Sequence, residues 1–170
     1  MNFEPFIRDI PDFPKAGINF KDITPLLNDK TALTQAAQAL CALVEGQSID
    51  KVVGVDSRGF IFAPLLAEKL GAGFVPVRKK GKLPYQTKSV TYALEYGTDT
   101  LEIHTDAIKP GERVLVHDDV LATGGTAKAT CELVEALGGV VQQCNFLIHL
   151  SFLEGARQLK KYPLAALVTY

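Results

Sequence analysis

The chain is predicted to fold as a doubly wound α/β domain, a mainly parallel sheet flanked by helices. Three observations point there: short Val/Ile/Leu runs that read as fully buried strands, helical periodicities between them, and a strand-to-helix junction at 113–126 that gathers acids, glycines and threonines. Sheets of this kind take ligands at the carboxyl ends of their strands.

Asp29 is placed to cap a helix whose apolar positions Leu33, Ala36, Ala37, Leu40 and Val44 recur at three- and four-residue steps up to Gly46. Residues 51–55 (KVVGV) are a short β-branched strand, and in 60–70 the residues Ala63, Leu66, Ala67 and Leu70 return to helical spacing. Residues 74–77 and 113–117 read as further strands, 126–137 as a helix ended by Gly138 and Gly139, and 140–150 and 164–168 as strands. Residues 79–100 break the rhythm, being polar and rich in Lys, Gly, Thr and Tyr. They read as a flexible lid loop over a site, with a plain β-hairpin as the alternative.

A chain of 170 residues, 47% hydrophobic and 22% charged, suits a single domain over 1–170, able to bury roughly 70% of its unfolded surface without staples. The formal charge of −1 provides no overall basic field for nucleic acid or an anionic membrane. No apolar run approaches the ~20 residues that span a bilayer. The opening MNFEPFIRDIPDF is unlike a secretory signal, and Cys41, Cys131 and Cys144 show no CxxC spacing, so a cytoplasmic protein with ordinary unpaired thiols is expected.

The stretch 113–126 (RVLVHDDVLATGGT) carries the chemistry. Ala122, Thr123, Gly124, Gly125 and Thr126 form a small-residue turn opening a helix, where outward backbone N–H groups, the helix dipole and two hydroxyls suit a phosphate. Asp118 and Asp119, at the expected end of the strand, would repel that phosphate and suit a neutral diol beside it. Together they describe a ribose 5-phosphate. Neither GxxxxGK[ST] nor GxGxxG is present, and GVDSRG around Ser57 has one residue too many for a GxSxG nucleophile. Val55 to Gly59 instead offers a second helix start with a guanidinium, Arg58, and Arg78, Lys79, Lys80 and Lys82 put four cations in five residues. Both suit a second, highly charged anion.

Residues 114–126 resemble the signature of the phosphoribosyltransferases, with His117 where an aliphatic residue is usual. It is read as a structural histidine pointing away from the site. Residues 13–27 (FPKAGINFKDITPLL) resemble the N-terminal module of the members that act on adenine, while VDSRGF at 55–60 and VRKKGKLP at 77–84 resemble their pyrophosphate side. With LEYG at 94–97, the similarity runs in order over most of the chain. The resemblance implies transfer of a phosphoribosyl group from phosphoribosyl pyrophosphate to adenine, giving AMP and pyrophosphate, with Mg²⁺ held mainly by substrate and water and no protein metal cage.

Residue by residue, it implies a base-recognition hood over 1–28, with stacking on Phe20 and recognition through the backbone of Asn19 and Lys21. It places ribose on Asp118 and Asp119, and pyrophosphate on Asp56, Ser57, Arg58, Arg78, Lys79 and Lys82, with a cis Asp56–Ser57 peptide. Glu95 and Tyr96 become the lid pair, Glu95 as proton-transfer group. A homodimer is implied as well. Two rivals are weaker: a regulator that binds without catalysis would need a nucleic-acid-binding element, and the same transfer to hypoxanthine, guanine, xanthine or orotate is disfavoured by the 13–27 module.

Overall fold

The computed structural model describes residues 1–93 and 97–170. Five adjacent parallel strands make up most of a seven-stranded sheet: β3 (Lys51–Val55), β4 (Gly73–Lys79), β7 (Arg113–Leu121), β8 (Val140–His149) and β9 (Leu164–Thr169). Two antiparallel strands, β5 (Thr87–Ala93) and β6 (Thr98–His104), complete the order β5-β6-β4-β3-β7-β8-β9. Helices α2 (Lys30–Ala42) and α3 (Gly59–Leu70) cover one face and α4 (Gly125–Ala136) the other. Ahead of the sheet, β1 (Arg8–Ile10) and β2 (Phe20–Asp22) pair antiparallel and lead into a single-turn helix, α1 (Thr24–Asn28).

Each face has its own core. Leu40, Phe62, Leu66, Leu115 and Leu147 lie under α2 and α3, whereas Val53, Val116, Leu133 and Phe146 lie under α4, and all are fully buried. Burial on this scale contributes roughly 1.5–3 kcal/mol per large side chain. Asp29 caps α2 as its position predicts, its Oδ1 accepting from the N–H groups of Thr31 and Ala32 at 2.9 and 2.8 Å. The three cysteines are free and lie in α2, α4 and β8.

Two differences from expectation bear on function. The segment 79–100, read as a lid loop, is for the most part paired: β5 and β6 form the hairpin that was its alternative, and β6 joins β4 through Arg78↔Glu102 and Lys79↔Leu101. From Ser89 to Ala93 exposed and half-buried residues alternate, as on a sheet edge with one wet face. Strand β7 also runs four residues beyond His117, because β8 continues to pair with it as far as Leu121↔His149. The acid pair therefore lies inside a strand rather than at its end.

His117 is structural, as its position suggested. It is fully buried, edge-on to Phe62, and its Nδ1 lies 2.7 Å from Asn145 Oδ1. Asn145 Nδ2 donates to the carbonyl of Leu40 at 3.2 Å, and Gln143 Nε2 donates to that of Leu43 at 2.9 Å, so two β8 amides satisfy carbonyls at the end of α2. With the Asn145 amide oriented this way, His117 Nδ1 is the donor and Nε2 is a lone pair without a partner. Protonation would bury an N–H with no acceptor, and burial pushes the imidazole pKa down from 6.5 to about 4.

Between those values the unfolded chain takes a proton that the folded chain refuses, so acid favours unfolding. Denaturant titrations are expected to show stability falling as pH drops from 6.5 to 4, with His117 contributing on the order of 3 kcal/mol. In the double variant His117→Val/Asn145→Val that portion of the acid sensitivity disappears; an unchanged pH profile would contradict the assignment.

Candidate active site

The chain leaves β3 through α3 toward β4 on one side and leaves β7 through α4 toward β8 on the other. Adjacent strands whose connections diverge open a crevice at their carboxyl ends. Pairing of β3 with β7 stops at Gly54↔His117, while β7 continues to Leu121 alongside β8 alone. The crevice therefore has one strand edge for a wall, and Asp118 and Asp119 stand on it.

Two adjoining cavities occupy this place. The larger, about 390 Å³, is lined by Asp56, Ser57, Arg58, Lys79, Tyr92, Asp99, Asp118, Asp119 and Thr126. The smaller, about 70 Å³, is a cup formed by Ala122, Thr123, Gly124, Thr126 and neighbouring residues. A wider, shallow depression of about 750 Å³ between β1 and α1, lined by Phe6, Arg8, Leu27 and Asn28 among others, has no acid pair or glycine turn.

The cup is the turn read as a phosphate loop. Gly124 takes a left-handed φ of +83° as N-cap of α4, which turns the chain so that the helix start faces the cavity. Gly59, at the start of α3, lets the β3–α3 turn lie close on β7, since a Cβ there would come 2.9 Å from Asp118 Oδ1. The Asp56–Ser57 peptide bond is cis, as the resemblance implies.

The cations divide among three acids. Arg78 Nε and Lys82 Nζ converge on Asp56 Oδ2 at 3.1 and 3.2 Å. Burial works against the Asp56 charge, but these two donors outweigh it and hold its carboxyl below the usual range. Lys79, the next residue along β4, pairs with Asp99 across the cavity at 3.0 Å, which keeps the ammonium charged and the carboxyl low. Arg58 stands apart from both groups. Its Nε lies 2.9 Å from Asp119 Oδ2 and its guanidinium lies over the Phe20 ring, 4.8 Å from the centroid.

Arg58 thus ties the hood to the acid pair. Phe20 is half-buried and edge-on to Phe13 at 5.2 Å. The side chains of Asn19 and Lys21 turn to Asp9, Lys21 also covers the Tyr170 ring, and the Lys21 carbonyl accepts from Arg58 Nη1 at 3.5 Å. Among the described residues, Asp118 is the cavity carboxylate with no ion pair. Burial and the adjacent Asp119 charge push it well above the usual carboxylate range; burial also raises Asp119, with Arg58 opposing.

Among the described residues the structure thus gathers Asp56, Ser57, Arg58, Lys79, Asp118, Asp119 and the 122–126 turn about one crevice, with Arg78 and Lys82 at its rim and Phe20 joined to it through Arg58. Glu95 and Tyr96 lie outside the described residues. Sequence reasoning missed Tyr92 and Asp99. The alternation along 87–93 could have paired them with the cavity, but only once the hairpin register was known.

The phosphoribosyl transferase domain family matches residues 23–159. An adenine phosphoribosyltransferase of Flavobacterium johnsoniae is 61% identical over the whole of both chains. Among solved structures, the adenine phosphoribosyltransferase of Rhodothermus marinus is 56% identical, covering 99% of this chain and 96% of its own with a TM-score of 0.95. That of Saccharomyces cerevisiae, complexed with adenine and an imino-altritol bisphosphate, is 41% identical over 97% of this chain and 96% of its own, with a TM-score of 0.92. Matched over its full length in sequence and over nearly all of it in fold, the chain belongs to the phosphoribosyltransferase family and, within it, to the adenine phosphoribosyltransferases.

Proposed function

We propose that the protein transfers the 5-phosphoribosyl group of phosphoribosyl pyrophosphate to adenine, giving AMP and pyrophosphate, a reaction of purine salvage. The observation that carries this reading is the meeting of three features at one crevice: an acid pair on the free edge of a strand, a glycine–threonine cup at a helix start, and the hood aromatic linked to the acid pair by Arg58.

Backbone N–H groups of 122–126 and the Thr123 and Thr126 hydroxyls hold the 5-phosphate, where the dipole of α4 adds to them. Asp118 and Asp119 accept from the ribose hydroxyls. Such donors relieve the crowding of the pair, so the sugar is bound where the protein's own negative charge is least compensated. Phe20 presents an apolar ring to the purine, and the backbone of Asn19 and Lys21 reads its edge. Arg58, Arg78, Lys79 and Lys82, with the Asp56–Ser57 turn, meet the departing pyrophosphate. Their stations on Asp56, Asp99 and Asp119 fix them before charge develops on the leaving group. Glu95, with Tyr96 beside it, exchanges the proton of the attacking purine.

Among the described residues no three His, Cys, Asp or Glu side chains converge, and of the carboxylates lining the cavity only Asp118 lacks a cation partner. That donor set fits Mg²⁺ carried chiefly on substrate oxygens and water. When bound, the ion neutralises charge on the pyrophosphate. A homodimer in the cytoplasm completes the reading. Three free cysteines suit that compartment, and no helix of the described residues is long and apolar enough to cross a membrane.

Product formation with phosphoribosyl pyrophosphate and Mg²⁺ is to be measured separately with adenine, hypoxanthine, guanine, xanthine and orotate. AMP from adenine alone is expected; product from another base overturns the role of Asn19, Phe20 and Lys21, and none at all favours a binding-only protein. Phe20→Ala is expected to raise the KM for adenine roughly tenfold while that for phosphoribosyl pyrophosphate moves little. Equal increases would indicate damage to the hood instead. Asp118→Asn removes a group whose ionisation folding disfavours. Because the folded carboxyl titrates above the unfolded one, the variant is expected to melt a few degrees higher at pH 7, at the expense of turnover, and the gain is lost once the pH falls below the unfolded carboxylate value. A melting temperature below wild type at pH 7 would contradict the raised Asp118 pKa.

A further inference from the structure

Tyr92 is half-buried on β5, outside every segment through which the chain resembles its family's binding motifs. Its hydroxyl lies 3.0 Å from Thr126 Oγ1, and its ring packs on the next residue back, where a Cβ on Gly125 would come 3.2 Å from Tyr92 Cδ2. Gly125 is therefore bare toward the hairpin: its missing side chain makes room for this ring. Thr126 lines both the large cavity and the cup, so the tyrosine acts where the two meet.

From the opposite side the same turn rests on Gly155. A Cβ at Gly155 would overlap the Ala122 carbonyl oxygen, and one at Gly124 would overlap the Gly155 carbonyl oxygen, so the two backbones are in direct contact. With the main chain seated there, the freedom left in the cup is chiefly that of its hydroxyl side chains. A threonine hydroxyl has one proton. To bind an anionic phosphate oxygen it must donate that proton outward, and it can then only accept from Tyr92. A phenol is the stronger donor of the two, and a donated bond polarises the acceptor's own O–H in the direction the phosphate needs.

We infer that Tyr92 is a positioning residue of the 5-phosphate subsite: its hydroxyl donates to Thr126 Oγ1 and directs the Thr126 proton at the phosphate. The inference rests on the reading of 122–126 as the phosphate cup. It also makes the hairpin part of phosphate recognition, since the strand that carries Tyr92 places Asp99 opposite it in register, and Asp99 holds Lys79.

The test is steady-state kinetics, with both substrates varied, on wild type, Tyr92→Phe, Thr126→Val and the double variant, together with melting temperatures. Tyr92→Phe keeps the ring on Gly125 and removes only the hydroxyl. It is expected to raise the KM for phosphoribosyl pyrophosphate about fivefold to tenfold, the worth of one net hydrogen bond, with kcat, the KM for adenine and the melting temperature nearly unchanged. Adding it to Thr126→Val is expected to cost little more, because the bond is already gone. A wild-type KM in Tyr92→Phe alongside a raised KM in Thr126→Val overturns the inference and leaves the phosphate cup standing. A wild-type KM in Thr126→Val overturns the role of Thr126 in the cup itself, and the inference with it. Parallel increases for both substrates with a lowered melting temperature reduce Tyr92 to a packing role and overturn it too.

Discussion

What the rest of the molecule depends on is where β3 lets go of β7. The two strands are hydrogen-bonded only as far as Gly54 and His117, because β3 turns at the Asp56–Ser57 peptide into α3 while β7 is carried on by β8. Beyond that point β7 has one neighbour, and the backbone and side chains on its free edge are available to a ligand. Divergence of the two connections supplies the crevice, and two helix starts, those of α3 and α4, open into it from opposite faces of the sheet. A strand end alone would have given a surface. The unequal lengths of the two strands give a walled cavity.

Charge in that cavity is arranged in advance. The basic run at 78–82 invites the picture of cations waiting in solvent for an anion, yet Arg78 and Lys82 share Asp56, and Lys79, pointing to the other side of β4, is held by Asp99. Arg58 belongs to neither group and lies between the acid pair and the hood. Partly exposed pairs of this kind add little to stability. Their effect is positional: flexible side chains are held in place about the crevice, which lowers the ordering that binding an anion there would require. The exception is Asp118, whose carboxyl is crowded by burial and by its neighbour and has no ion-pair partner among the described residues.

Much of this was legible in the residues. Strands β3, β7, β8 and β9 announce themselves as Val/Ile/Leu runs because both faces of a parallel strand are buried, and α2 is fixed by Asp29 and by apolar steps that all face the sheet. The 122–126 turn was legible as the start of a helix because small residues and glycines follow the strand there, and the structure places it beside the crevice. The hairpin was not. In β5, half-buried residues alternate with exposed ones, and of these only Tyr92 reaches the site, so composition describes a loop and pairing decides otherwise. The extension of β7 through the acid pair was equally hidden, since Asp is a poor strand former and only β8 makes Asp118 one. The distribution of the cations depended on which side of β4 each residue faces, and on acids twenty or more residues away in sequence.

The bond between His117 and Asn145 also marks the alignment of β7 with β8. Both strands carry buried aliphatic side chains, and aliphatic side chains tolerate displacement along a neighbour, so hydrophobicity alone distinguishes poorly between one alignment and another two residues along. A shift of one residue would turn Asn145 to the opposite face. A shift of two would keep its face but carry it away from both His117 Nδ1 and the Leu40 carbonyl, leaving three buried polar groups unmatched. Since the cup at 122–126 hangs from the end of β7 and rests on Gly155, which follows β8, the same hydrogen bond fixes how far apart those two supports are set. A histidine set apart from the crevice thereby acts as a spacing gauge for the cup.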